Sequence, residues 1–489
     1  MVRTRSFAVA SAHPSSTAAG MEVLRQGGNA YDAALAVSAS LPVVQPHMNG
    51  LGSDFFALVR ERSTVAINSS GPSGRSVTPE EFRGRGLSRI PARGPLACIT
   101  VPGLVAAWSV LGRNLRLGWR RDLAPAIRLA TGGFPASPSL ARAARSVRWG
   151  DVDFRALYGS VAPGHRLRQP AMASTLRAIA RDEGHGFYHG ELARRICRDL
   201  RAKGGLLEPA DFEGFSSRVE KPLGVRYRSF RVETNPPPSQ GATALIWLNL
   251  LARRDLSGAS EPELARSLID TMRVAYRYRA RYIADPEYVP FPRSLLRPGA
   301  VYQVGRWSRR WSPSASDTTS FSVYDGETGI SAIQSNYGGF GSGVVVGGTG
   351  ISLNNRGSYF TLESDHPNAL APGKKTFHTL MATVVTGPRL VLLGSMGGDV
   401  QPQVNVQVLV RHLDRGLPIQ SAIASPRFAY PASIYGTAPL YWEAGVPLSG
   451  ARLLRRSPQL FGHAHGISVG DETEVGIDPR GDGLLPLPS

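Results

Sequence analysis

The sequence predicts an α+β fold, and two observations carry that prediction. Long helical patterns fill the first two thirds of the chain, and short alternating segments take over near residue 305. The chain is long enough for a large core: 489 residues, 42% hydrophobic and 19% charged, a globular composition. Ser15-Ser16-Thr17 can cap a helix running through Met21, Val23 and Leu24, which Gly27-Gly28 can end. Residues 30–41 are small and apolar nearly all round, which predicts a buried helix. Pro102-Gly103 opens a helix over 104–111. Further helical patterns cover 171–181, 190–202, 242–251 and 262–283. The stretch 307–317 is polar, bears proline and serine and lacks periodicity, so it reads as an exposed loop. Strands are expected at 320–324, 330–335, 379–386 and 390–393, then helices at 401–413 and 419–424.

Composition excludes several function classes. No apolar run reaches the roughly 18 residues that span a bilayer. Residues 1–9 show no apolar signal-peptide core, which gives the expectation of a cytoplasmic protein without a membrane partner. Cys98 and Cys197 lie far apart and form no CxxC, consistent with two buried thiols in a reducing compartment. The formal charge of +19 is spread over dispersed arginines, and no nucleic-acid-binding motif accompanies it. An acidic small substrate suits such a chain better than nucleic acid does. His463-Ala464-His465 and His185/His189 lack the carboxylate or cysteine that would complete a metal site. No phosphate-binding glycine loop is present, so neither a metal nor a nucleotide cofactor is expected.

Asp317-Thr318-Thr319-Ser320-Phe321-Ser322 puts a threonine between the loop and a strand. By itself this is an ordinary strand start. Its surroundings change the reading. Ser11-Ala12-His13-Pro14, Gly27-Gly28-Asn29-Ala30-Tyr31-Asp32, Thr100-Val101-Pro102-Gly103, Pro236-Pro237-Pro238-Ser239-Gln240-Gly241, Gly348-Thr349-Gly350-Ile351-Ser352-Leu353-Asn354-Asn355 and Gly397-Gly398 occur in an order and spacing that resemble gamma-glutamyltranspeptidases. These are N-terminal-nucleophile hydrolases. The resemblance implies a four-layer αββα sandwich and self-cleavage before Thr318. Residues 1–317 would become a large subunit and 318–489 a small one, interlocked as one unit, with a homodimer of these heterodimers left open.

The chemistry explains the threonine. A threonine hydroxyl is a poor nucleophile at neutral pH. Cleavage of the Asp317–Thr318 bond would free an α-amine with a pKa near ~8, and that amine can serve as the adjacent base. Gly397-Gly398 can turn two N–H groups toward one point as an oxyanion hole, or simply make a tight turn. The resemblance favours the oxyanion role. Ser335 and Thr319 are candidates for orienting the nucleophile, or are strand hydroxyls bonded to backbone.

The departures from the family pattern point to the substrate. The strand that should lead to the carboxylate-binding arginine reads Ala66-Ile67-Asn68-Ser69-Ser70-Gly71, with no arginine before Arg75. Arg356 replaces a glutamine, Tyr359 the amine-binding aspartate, His378-Thr379 a serine pair and Tyr337 an asparagine. Together with Asn336, these make the chain similar to the amidohydrolase and acylase side-branch. A buried ammonium without a carboxylate is costly, and an added guanidinium favours an anion. Arg356 and His378 are therefore the candidates for gripping a small acidic substrate. A structural ion pair and a core histidine are their alternatives. Amide hydrolysis through an acyl-enzyme is the expected reaction. Gamma-glutamyl transfer or hydrolysis, carbon–carbon hydrolysis beside a keto acid, and an uncleaved non-catalytic homologue remain alternatives.

Overall fold

The computed structural model describes residues 7–302, 317–430, 440–443, 451–453 and 458–483. Of the expected loop at 307–317, all but Asp317 lies outside the described residues.

Two six-stranded antiparallel sheets form the centre. The first contains β1 (Ala8–Ser11), β2 (Asp54–Arg60), β3 (Thr64–Ser69), β4 (Arg218–Glu220), β7 (Asp317–Tyr324) and β8 (Gly329–Tyr337), in the order β1-β7-β8-β2-β3-β4. The second contains β5 (Leu223–Tyr227), β6 (Phe230–Thr234), β9 (Ala382–Thr386), β10 (Leu390–Ser395), β11 (Ala464–Val469) and β12 (Thr473–Ile477), in the order β12-β11-β10-β9-β6-β5. Each sheet draws strands from both sides of the Asp317–Thr318 bond.

Strand alternation builds the layers. Phe321 and Val323 of β7, with Phe55, Ala57 and Val59 of β2, face a helical layer. That layer includes α2 (Ala30–Val44), all of whose residues are buried, and α3 (Leu104–Leu111). Leu58, Ala66, Ala382, Val384, Leu392 and Ile467 fill the space between the sheets. Val385, Val391 and Leu393 face the second helical layer: α7 (Gly241–Leu251), α8 (Glu261–Tyr282), α9 (Gln401–Leu413) and α10 (Ile419–Ala424). The result is the αββα sandwich. Each fully buried aliphatic or aromatic side chain in these layers contributes about 1.5–3 kcal/mol.

Local signals set most helix ends. In α2, Asn29 Oδ1 accepts from the N–H groups of Tyr31 and Asp32, and Asp32 Oδ2 accepts from that of Asn29, a closed capping box. α1 (Pro14–Arg25) differs from expectation, because its cap is His13 Nδ1 on the Ser15 N–H and not the Ser15–Thr17 run. Further early helices include α4 (Ala124–Gly132), α5 (Pro170–Asp182) and α6 (Glu191–Ala202). Cys98 and Cys197 are free and buried. Among the described residues, no helix is long and apolar enough to cross a membrane.

Candidate active site

β7 begins three residues earlier than its sequence suggests, so Thr318 lies within a paired strand. Its pairing with β8 is interrupted there. Thr319 stands opposite Gln334 and Asp317 opposite Tyr337, so Ser335 and Asn336 share Thr318 as their one partner. Such a bulge re-aims side chains. Thr318 is 1% exposed and donates through Oγ1 to Ser335 Oγ at 3.2 Å. Ser335 Oγ donates to the Asp317 carbonyl at 2.6 Å and accepts from the Tyr337 N–H at 2.8 Å. The Tyr337 backbone has φ +81°, a conformation costly for a side-chain-bearing residue. One hydroxyl thus touches both Thr318 Oγ1 and the carbonyl of the Asp317–Thr318 bond.

The carboxyl of Asp317 packs against Gly339, where a Cβ would lie 2.6 Å from Oδ2. Burial pushes that carboxyl up to about 6, against the opposing pull of Arg93. Arg93 donates through Nη1 to the carbonyls of Gly339 and Gly341 and so pins the turn beneath Asp317.

The Thr319 side chain points away from that of Thr318. Alternation sends its side chain to the helix-facing side of the sheet, where Oγ1 donates to Gln45 Oε1 at 3.2 Å. Asn336 turns the same way, accepting at Oδ1 from Ser53 Oγ at 2.9 Å. That contact supports the bulge.

The second half of the site comes from the other sheet. Ser320 Oγ pairs with His465 Nδ1 at 2.9 Å, and a Cβ on Gly394 would lie 2.8 Å from that of Ser320. This close approach sets the end of β10 on the start of β7. Gly397 and Gly398 follow with φ +122° and +57°, conformations glycine adopts readily. Neither N–H has an acceptor among the described residues. Both precede α9, whose N-terminal dipole favours negative charge. Gln240 Nε2 holds the Gly398 carbonyl at 2.8 Å, and the Tyr276 hydroxyl holds the Asp399 carbonyl at 2.7 Å.

The candidate substrate residues form one connected group around a carboxylate that the sequence reading did not single out. Arg356 is 1% exposed; Nε donates to Asp54 Oδ2 at 3.4 Å and Nη1 to Thr379 Oγ1 at 3.4 Å. Its guanidinium lies 4.3 Å from the centre of the Tyr337 ring, and Tyr337 packs 5.0 Å from Tyr359. His378 accepts at Nδ1 from the Leu380 N–H at 3.3 Å, which leaves Nε2–H to donate to Asp54 Oδ2 at 2.9 Å. Burial, then the neighbouring Arg356, drive His378 down to about 4. Both ring nitrogens are thus engaged within the protein, and the Nε2–H bond orients Asp54. The Tyr359 hydroxyl donates to Asp399 at 3.0 and 3.1 Å. Arg356 Nη2, Asp54 Oδ1 and both ends of the Gln401 amide are buried without a partner among the described residues.

Asp54, Arg93, Arg279, Asp399 and Gln401 are the polar groups that sequence reasoning missed. A carboxylate opening the apolar strand Asp54–Arg60, and another directly after a glycine pair, were the available signals.

Comparison with known proteins gives a consistent picture. The family model described as Gamma-glutamyltranspeptidase matches residues 16–485. The glutathione hydrolase-like YwrD proenzyme of Bacillus subtilis is 35% identical, over 97% of each chain. The oxamate amidohydrolase proenzyme of Klebsiella pneumoniae is 35% identical, over 87% of this chain and 85% of its own. Among solved structures, cephalosporin acylase from Bacillus halodurans superposes with a TM-score of 0.89 at 31% identity, covering 98% of this chain and 95% of its own.

Proposed function

The chain belongs to the gamma-glutamyltranspeptidase family of hydrolases, and from that premise we propose that it is a self-processing threonine amidohydrolase acting on a small anionic substrate. The observation that carries this reading is the contact of Ser335 Oγ with both Thr318 Oγ1 and the Asp317 carbonyl. Thr318 Oγ attacks the Asp317 carbonyl carbon, and the C–N bond breaks as nitrogen takes up the hydroxyl proton. Water then opens the ester, leaving a free Asp317 carboxylate and the Thr318 α-amine. In turnover that amine takes the proton from Oγ as it attacks the substrate amide. Gly397 and Gly398 N–H groups receive the oxyanion, each worth about 3 kcal/mol. The leaving nitrogen takes the proton back, and water hydrolyses the acyl-enzyme.

Arg356 keeps one edge, Nη2, for an anion. Because Asp54 already balances its charge, the pocket offers a directed hydrogen bond more than a net positive field. Oxamate, the substrate in the name of the Klebsiella relative, is the first compound to test. Asp54 also favours a second reading: its unpartnered Oδ1 supplies the carboxylate that a gamma-glutamyl α-amine requires. Parallel assays of ammonia release from oxamate and of 4-nitroaniline release from gamma-glutamyl-4-nitroanilide separate the two.

On a denaturing gel the mature protein should run as pieces of roughly 34 and 18 kDa, judged from subunit length at the usual residue mass. Thr318→Ala should leave one uncut band and no turnover. Full activity from the uncut chain would refute the mechanism.

A further inference from the structure

Behind the glycine turn lies a buried ion pair that the steps above do not use. Asp399 follows Gly398 directly and is 5% exposed, while Arg279 of α8 is 3% exposed. Arg279 Nη1 donates to Asp399 Oδ1 at 2.5 Å and to Gln240 Oε1 at 2.9 Å. The guanidinium also sits 4.6 Å from the centre of the Tyr276 ring and 5.3 Å from that of Phe377. Gln240 passes the connection on through Nε2, to the carbonyls of Gly398 and Thr379 at 2.8 and 2.7 Å. Tyr276 and Tyr359 add their hydroxyls to the Asp399 carbonyl and carboxylate. The carbonyls of Gly398 and Asp399 and the Asp399 carboxylate are thus all bonded to Arg279 or to a residue that touches it.

A carboxylate beside an oxyanion site is unfavourable unless neutralised, because like charges repel strongly where water is excluded. Loosening the turn is equally harmful, since oxyanion donors act through preorganisation. We propose that Arg279 is the positioning residue of the glycine turn: it cancels the charge of Asp399 and, through Gln240, fixes the Gly398 peptide so that the two N–H groups face the developing oxyanion. This rests on Gly397 and Gly398 being the oxyanion donors.

The test uses the mature enzyme and 4-nitrophenyl acetate, an activated ester that requires the nucleophile and oxyanion donors but not the anion-binding group. Arg279→Gln should lower kcat by about 100-fold, the scale of a lost oxyanion donor, with KM within about threefold and self-cleavage complete on a gel. Adding Asp399→Asn to Arg279→Gln removes the uncompensated charge and should restore kcat by about tenfold, since the repulsion and not the missing arginine dominates. Arg279→Gln with wild-type kcat, or a double variant no faster than the single, overturns the proposal. Should Arg279→Gln fail to fold, Gln240→Leu cuts the link to Gly398 and leaves the ion pair in place. It should slow kcat by about tenfold, and an unchanged kcat overturns the positioning role. Gly398→Ala separates the levels. If it retains full kcat, or if the wild type cleaves the ester no faster than Thr318→Ala does, the oxyanion assignment fails and takes the proposal with it. If Gly398→Ala is slow while Arg279→Gln is not, only Arg279 is excluded.

Discussion

In the proposed mechanism, Ser335 is the side chain on which self-cleavage and turnover meet. Its hydroxyl donates to the Asp317 carbonyl at 2.6 Å, the position of an oxyanion donor for the attack by Thr318. Ser335→Ala should therefore slow self-cleavage by about 100-fold, measured as the rate at which the precursor band disappears, whereas Ser335→Thr should retain it. Equal rates in Ser335→Ala would mean that another group polarises that carbonyl. The carboxylate of Asp54 plays a different part, joining Arg356 and His378 through one oxygen. Asp54→Asn leaves Arg356 buried without its counter-charge, a loss of about 3–5 kcal/mol that should lower Tm. The same uncompensated charge should attract an anion more strongly, so KM for an anionic substrate should fall even as stability falls. Arg356→Ala should do the reverse to KM and leave self-cleavage intact. If KM moved the same way in both variants, Arg356 would not be the anion contact.

The bulge in β8 is the element that turns a strand into a site. Removing one residue from it restores regular pairing, and a one-residue slip moves every later side chain to the opposite face. Deleting Asn336 should give a folded, uncut precursor, seen as a single gel band with native-like circular dichroism; efficient cutting would show that the bulge is dispensable. The same element marks the limit of what the sequence reveals. Helices are specified by local periodicity and caps, so α3 and α9 fall on their expected bounds and α8 within one residue. Strand ends depend on partners far along the chain. The Asp317–Ser320 stretch of β7 is paired because Gln334 and Tyr337 lie opposite it. The strand expected from 379 starts at Ala382 instead, because His378 bridges to Ser239 and the carbonyls of Thr379 and Leu380 are taken by Gln240 and Ser239. The expectations for Thr318, Ser335 and the glycine pair rest on motif order. Asp54 was not, since its partners Arg356 and His378 are some 300 residues away and DFFALVR reads locally as a plain buried strand.

At the scale of the whole molecule, burial of imidazoles predicts how stability responds to acid. Desolvation on folding brings His13, His47 and His378 to about 4 and His465 to about 3, and lowers His412 and His463. In the unfolded chain these rings take up protons as the pH drops through about 6.5; in the fold His13, His47, His378 and His465 stay neutral until far lower. The native state therefore loses about 1.4 kcal/mol per pH unit for each of those four rings once the pH is below 6.5, and His412 and His463 add to the loss in the same direction. Two carboxyls oppose the trend. Burial raises Asp122 to about 9 and Asp317 to about 6, so both keep a proton in the fold that the unfolded chain gives up above about 3.8. Acidification from pH 7 to 5 consequently relieves two groups while it burdens six. Tm should fall over that interval, measured by calorimetry on the Thr318→Ala precursor so that cleavage does not intrude. Replacing His465, which is bonded to Ser320 at the seam between the sheets, with glutamine should flatten the decline, because one ring no longer competes for a proton. A Tm that holds steady or rises between pH 7 and 5 would mean that these rings are already protonated or hydrated in the fold, and that the polar seam beside Thr318 is open to water.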